Sequence, residues 1–168
     1  MQERRAPAPG SMLLDPLFLL ALFLLALNDH VLKSAAPGVI TGKLSDVAGL
    51  AVAPVLAVSL GELFGASSTD QQSRIRQLAF WALATALGFS AIELWEPAAR
   101  AYSHLLGAVQ SLPRVLVAWS ARDTLVWAVA RHVADPADLL TLPFCAAGLA
   151  RVALRKRAPM SECAAIRR

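Results

Sequence analysis

Four apolar runs, at 17–27, 47–64, 78–95 and 139–154, are set apart by short polar breaks. An α-helix rises about 1.5 Å per residue, so crossing a hydrocarbon core roughly 30 Å thick takes about 20 residues. The second and third runs approach that length as they stand. The first is short, and it spans only if its helix starts near Asp15-Pro16 and carries Asn28, Asp29 and His30 to the membrane edge. The pattern therefore predicts an all-α integral membrane bundle of about four transmembrane helices, over 16–33, 46–64, 77–95 and 137–154.

The interruptions inside and between the runs refine this picture. Pro54 predicts a kink in the second span, and Glu62 stands near its far end. The third span closes on Glu93, Trp95 and Glu96-Pro97, an aromatic anchor and a helix stop of the kind found at a membrane interface. Arg151 lies within the fourth run, where its long stem can carry the charge to the surface. Residues 98–134 mix Arg100, Arg114, Arg122, Asp123 and Arg131 with Val115, Leu116, Trp119, Val126, Trp127, Ala130 and Val133. Those apolar residues recur at steps of three and four, which predicts an amphipathic helical connection that lies on the membrane or caps the bundle. A fifth span there would bury Arg122 and Asp123, at about 2.5–3.5 kcal/mol each.

Composition agrees with the pattern. Hydrophobic residues make up 57% of the chain and charged residues 17%, against about 45–50% and about 25% in soluble domains. A chain of 168 residues is too short to be a twelve-span carrier by itself. The net charge of +4 does not indicate nucleic acid, because the basic residues flank the apolar runs. Arg4 and Arg5 precede the first run, Arg74 and Arg76 the third, and Arg151, Arg155, Lys156 and Arg157 end the fourth. With four spans these clusters share one side. The positive-inside rule makes that side the cytoplasm, so both termini are expected there, in a bacterial inner membrane with lipid as the partner. Arg4, Arg5, the first run and Ser34-Ala35-Ala36 also have the layout of a secretory signal over residues 1–36. Cys145 and Cys163 offer neither metal spacing nor a disulfide framework.

Three polar motifs break the apolar background, and a four-span topology carries all of them to the outer side. They are Asn28-Asp29-His30 with Lys33, then Thr41-Gly42-Lys43-Leu44-Ser45-Asp46 with Gly49, then Asp135-Pro136 with Asp138. Ionisable groups at membrane depth are costly and are paired or functional. Each motif also has a structural reading. Asp135 and Pro136 form a helix start favourable to Asp138, as Asp15-Pro16 does for the first span. Ser45 and Asp46 can cap the second span, with Gly42 supplying turn freedom. Asp29 at a helix C-terminus meets the negative end of the dipole and needs a partner. Lys33, four residues on, is the first candidate, and Lys43 the second. A metal site from Asp29, His30, Asp46, Asp135 and Asp138 is chemically conceivable, but no spacing demands it, and no cofactor is expected.

The run Gly42 to Gly49 is similar to part of the loop signature of major facilitator carriers, but Leu50-Ala51-Val52 replaces that signature's trailing basic residues. More of the chain resembles a group of small, uncharacterised bacterial multi-pass proteins. These carry Asn-Asp-His-x-Leu-Lys, Thr-Gly-Lys-Leu-Ser-Asp-x-Ala-Gly-Leu and Asp-Pro-x-Asp-Leu in order, here Asn28 to Lys33, Thr41 to Leu50 and Asp135 to Leu139. The resemblance implies a membrane bundle and no particular activity.

The leading functional reading is a multi-pass protein that is not demonstrably an enzyme, whose outer polar cluster packs the helices or binds a small ligand or ion. Gly49, Ala53, Ala57, Ala82, Ala86, Gly88, Ala146 and Gly148 are the expected packing positions. One competitor is a cation or small-solute transport subunit, which would need a homo-oligomer to build a pathway from so few spans. The other is a membrane-embedded enzyme acting on a lipid or envelope precursor, with Asp29 or Asp46 as base or metal ligand and Lys43 holding a phosphate.

Overall fold

Helices account for every element of the computed structural model, which describes residues 7–36, 38–65, 70–121 and 134–154. A 3₁₀ turn, Ser11–Leu14, leads into α1, Pro16–Ala35, which widens to a π turn at Asn28–Leu32. Then come α2 (Val39–Leu63), α3 (Gln71–Leu94) and α4 (Glu96–Ala121). The last, α5 (Pro136–Leu154), is wound as a 3₁₀ helix over Pro136–Ala146 and finishes as an α-helix. Among the described residues α1, α2, α3 and α5 are long and apolar enough to cross a membrane. The all-α bundle that the apolar runs predict is the fold observed.

Local chemistry explains the helix boundaries. The Asp15 carboxylate accepts from the Leu17 amide at 2.9 Å, with Pro16 in the first turn, so α1 starts where its sequence predicts. By contrast, α2 starts at Val39, well before the start near residue 46 that the apolar run alone indicates. Thr41 is responsible. Its hydroxyl accepts from the Gly38 amide at 3.1 Å and donates to the Gly38 carbonyl at 2.8 Å, holding the entry to the first turn. Ser45 and Asp46 are therefore helix-interior residues rather than caps. Gly42 is helical too and supplies no turn. Pro54 is buried within α2, which continues through it. Trp95 alone separates α3 from α4: its amide donates to Ala91 at 2.9 Å and its carbonyl accepts from Ala98 at 2.9 Å.

The amphipathic connection expected over 98–134 is helical as far as Ala121. Arg122, Asp123, Val126, Trp127, Ala130, Arg131 and Val133 lie outside the described residues, as do Arg4, Arg5, Arg155, Lys156, Arg157 and Cys163.

The chain divides into two units, one from Met1–Leu87 with Leu140–Arg168 and the other from Gly88–Leu139. In the first, Phe18, Val52, Val55, Val58 and Leu78 form a core, with Met12, Leu13, Ala21, Leu149 and Val152 packed against it. Gly148 lets α5 approach that core. A β-carbon there would stand 2.8 Å from a Val55 methyl and 3.2 Å from one of Leu78. Gly49 and Gly88, also expected at packing positions, have nothing within 4 Å of such an atom.

Outside that core the distribution of side chains departs from that of a water-soluble protein. Leu20, Phe23, Phe80, Leu83, Leu87 and Leu140 stand more than half exposed, whereas Asn28, Ser59, Glu62, Arg74, Glu93 and Ser111 are buried.

Candidate functional site

Residues of the first two polar motifs meet where α1 ends and α2 begins. Lys33 Nζ lies 2.8 Å from Asp29 Oδ1, the helical ion pair that the four-residue spacing predicts. Ser45, reaching over from α2, completes a triangle: its hydroxyl donates to Asp29 Oδ1 at 2.6 Å and accepts from Lys33 Nζ at 3.0 Å. Asp29 and Lys33 are nearly half exposed. Beside them Asn28 is wholly buried, and its amide nitrogen donates to the Thr41 carbonyl at 2.7 Å. Asn28 Oδ1 has no hydrogen-bond partner among the described residues. The π turn accommodates both engagements, because an extra residue in the turn lets Asn28 reach Thr41 while Asp29 and Lys33 reach Ser45.

His30 is exposed on α1, and Gly42, Lys43 and Asp46 are half-buried along α2. The third motif belongs to the other unit, where it opens α5. Asp135 Oδ1 accepts from the Ala137 amide at 2.9 Å, and the Asp135 carbonyl accepts from the Asp138 amide at 2.8 Å. The Asp135 amide donates to the buried carboxylate of Glu93 at 2.7 Å. This is the helix start that the sequence predicts. Among the described residues no three His, Cys, Asp or Glu side chains gather as a metal-holding group. Asp29 is engaged by Lys33 and Ser45, and Asp135 by its own helix start.

A second polar cluster, which the three motifs do not predict, stands at the opposite end of α2. Arg74 Nη2 donates to Glu62 Oε2 at 2.7 Å, and Arg74 Nε donates to Glu62 Oε1. Both side chains are buried, and the segment before α1 completes the pair. The Gly10 amide donates to Glu62 Oε2 at 2.9 Å, and Arg74 Nη2 donates to the Ala8 carbonyl at 2.9 Å. Gly10 has φ +69°, a left-handed conformation, and a β-carbon on it would stand 3.0 Å from the Leu63 side chain. Arg151, whose stem the sequence expects to carry its charge to the surface, pairs with Asp15: its Nε lies 3.1 Å from Asp15 Oδ2. The signal for Glu62 was available, since a carboxylate in an apolar run needs a partner and the next span opens with Arg74 and Arg76.

Chemically, the triangle is closed on itself. Lysine and serine side by side are the residue types of a hydrolytic dyad, which needs a base aimed at the hydroxyl hydrogen. Here Lys33, which would be the dyad's base, donates to Ser45 instead of accepting from it, and the Ser45 hydrogen goes to Asp29, whose carboxylate Lys33 also pairs. Comparison of the chain with known protein families, curated proteins and solved structures returns no match.

Proposed function

We propose that the chain is a non-catalytic multi-pass protein of a bacterial inner membrane, with both termini on the cytoplasmic side, whose outer cluster fastens the first span to the second. In this reading it belongs with the small multi-pass proteins that share its three motifs. The observation that carries the proposal is the Ser45 hydroxyl, hydrogen-bonded to both members of the Asp29–Lys33 pair and so tying α1 to α2. Four helices with exposed apolar surfaces and buried polar groups support the membrane setting.

A fastening makes a definite demand on variants. Ser45→Ala and Asp29→Asn should each lower stability in detergent by about 1 kcal/mol or less, because the pair is half exposed. The double variant should cost little more than either one, and insertion should be retained. Tags at both termini should be reached only from the cytoplasmic face. If Asp29→Asn leaves unfolding untouched, the cluster is not a fastening.

A second reading, a transport subunit that binds a cation or small hydrogen-bond donor, is favoured by the unpartnered Asn28 Oδ1. It requires a homo-oligomer to complete the pathway. Monovalent-cation flux in proteoliposomes that is lost in Asn28→Leu would establish it, and absence of flux under every imposed gradient would remove it.

A further inference from the structure

Along α4 an apolar stripe is exposed, beside the exposed polar residues Arg100, His104 and Gln110. Ala101, Leu105, Val109 and Leu112 recur at helical steps along one stripe, all four exposed, with Leu105, Val109 and Leu112 each more than half exposed. Gly107 and Ser111, on the opposite side, are buried. The Ser111 hydroxyl donates to the Gly107 carbonyl of its own helix at 2.7 Å. An amphipathic helix on a water-soluble protein would be turned the other way, with its leucines inward. A row of large apolar side chains this long requires a cover.

What covers it follows from the helix's attachment. Only Trp95 separates α4 from α3, a helix long and apolar enough to cross a membrane, and Leu94 and Trp95 are both well exposed at the junction. The helix thus departs from a membrane edge marked by an aromatic anchor. It is not itself among the helices apolar enough to cross. Its first turn carries the exposed Glu96–Arg100 pair, 2.9 Å apart, which holds that end in contact with water.

We infer that α4 lies along the boundary between head groups and acyl chains, with Ala101, Leu105, Val109 and Leu112 turned into lipid. This rests on the membrane setting proposed above and commits the exposed stripe to lipid, where the sequence leaves open whether the helix rests on the membrane or caps the bundle. The stripe is an interaction surface for the bilayer itself, and α4 acts as a float that fixes the depth at which α3 ends.

The test uses the full chain in phosphatidylcholine–phosphatidylglycerol vesicles, with Cys145 and Cys163 replaced by alanine. Single cysteines at Arg100, Leu105, Val109 and Leu112 carry an environment-sensitive fluorophore, and Leu83→Cys in α3 serves as the control. Labels at Leu105, Val109 and Leu112 should be quenched several-fold more by brominated lipid than the label at Arg100, which should answer to iodide. All three should report the same depth. If depth changes steadily by about 10 Å from Leu105 to Leu112, the helix crosses and the inference falls. It also falls if the three labels answer to iodide, or if they escape lipid and cross-link between copies. Failure of lipid quenching at Leu83 as well would overturn the membrane setting instead.

Discussion

Arg74, in the first turn of α3, closes on the carboxylate of Glu62, in the last turn of α2, with Nη2 2.7 Å from Oε2 and both side chains buried. Neither charge is shared with solvent, and the backbone of Ala8 and Gly10 adds one hydrogen bond to each partner. The pair is therefore the place where three parts of the chain depend on one another.

Removing one partner should leave the other as an uncompensated buried charge. Glu62→Gln and Arg74→Gln should each cost about 3–5 kcal/mol in unfolding measured in detergent micelles. Glu62→Leu combined with Arg74→Leu should recover part of that loss, and only part, because the Gly10 amide and the Ala8 carbonyl then lack partners. Strict additivity of the two losses would contradict the pairing.

Gly148 should tolerate no side chain. Gly148→Ala forces a methyl against Val55 and Leu78 and should destabilise by about 1–3 kcal/mol. Gly49→Ala and Gly88→Ala meet nothing and should be neutral or raise the melting temperature, since alanine is favoured over glycine in a helix by up to about 1 kcal/mol. Thermal melts of the three variants under one condition decide the matter.

Asp15 serves both as the cap of α1 and as the partner of Arg151. Asp15→Asn keeps the cap and loses the ion pair, whereas Asp15→Ala loses both. The alanine variant should be less stable than the asparagine variant by about 1 kcal/mol, the usual worth of an N-cap. Equal melting of the two would deny the capping role.

Thr41→Val should fray the entry to α2, because the hydroxyl that holds Gly38 is gone. Amide exchange should accelerate at Gly42, whose amide donates to the Gly38 carbonyl at 3.1 Å, while Asp46→Asn should leave that amide unchanged. Faster exchange in the Asp46 variant would return the capping role to residue 46.

The parts of the fold that were legible in the sequence are those fixed by local chemistry. Apolar length revealed the spans, and Asp15-Pro16 and Asp135-Pro136 are recognisable helix starts. The four-residue spacing of Asp29 and Lys33 revealed their pair. The start of α2 was not legible, because threonine, glycine, serine and aspartate in succession suit a turn as well as the helix they form. Ser45 has the sequence setting of a cap, because nothing local shows that its hydroxyl points at a different helix. Glu62 and Arg74 were hidden for a related reason: arginines at the mouth of a span also serve as topology signals, and only tertiary contact shows which of Arg74 and Arg76 turns inward.

The π turn at Asn28–Leu32 makes the registration of α1 depend on a single residue. Each residue of an α-helix advances the winding by about 100°, so losing one position from the wide turn would rotate everything beyond it by that amount. Asp29 would hold its place, but Lys33 would swing away from Ser45. The spacing between these two residues is thus a dimension of the protein in its own right, and chains built on the same plan should vary more freely in the composition of this turn than in its length.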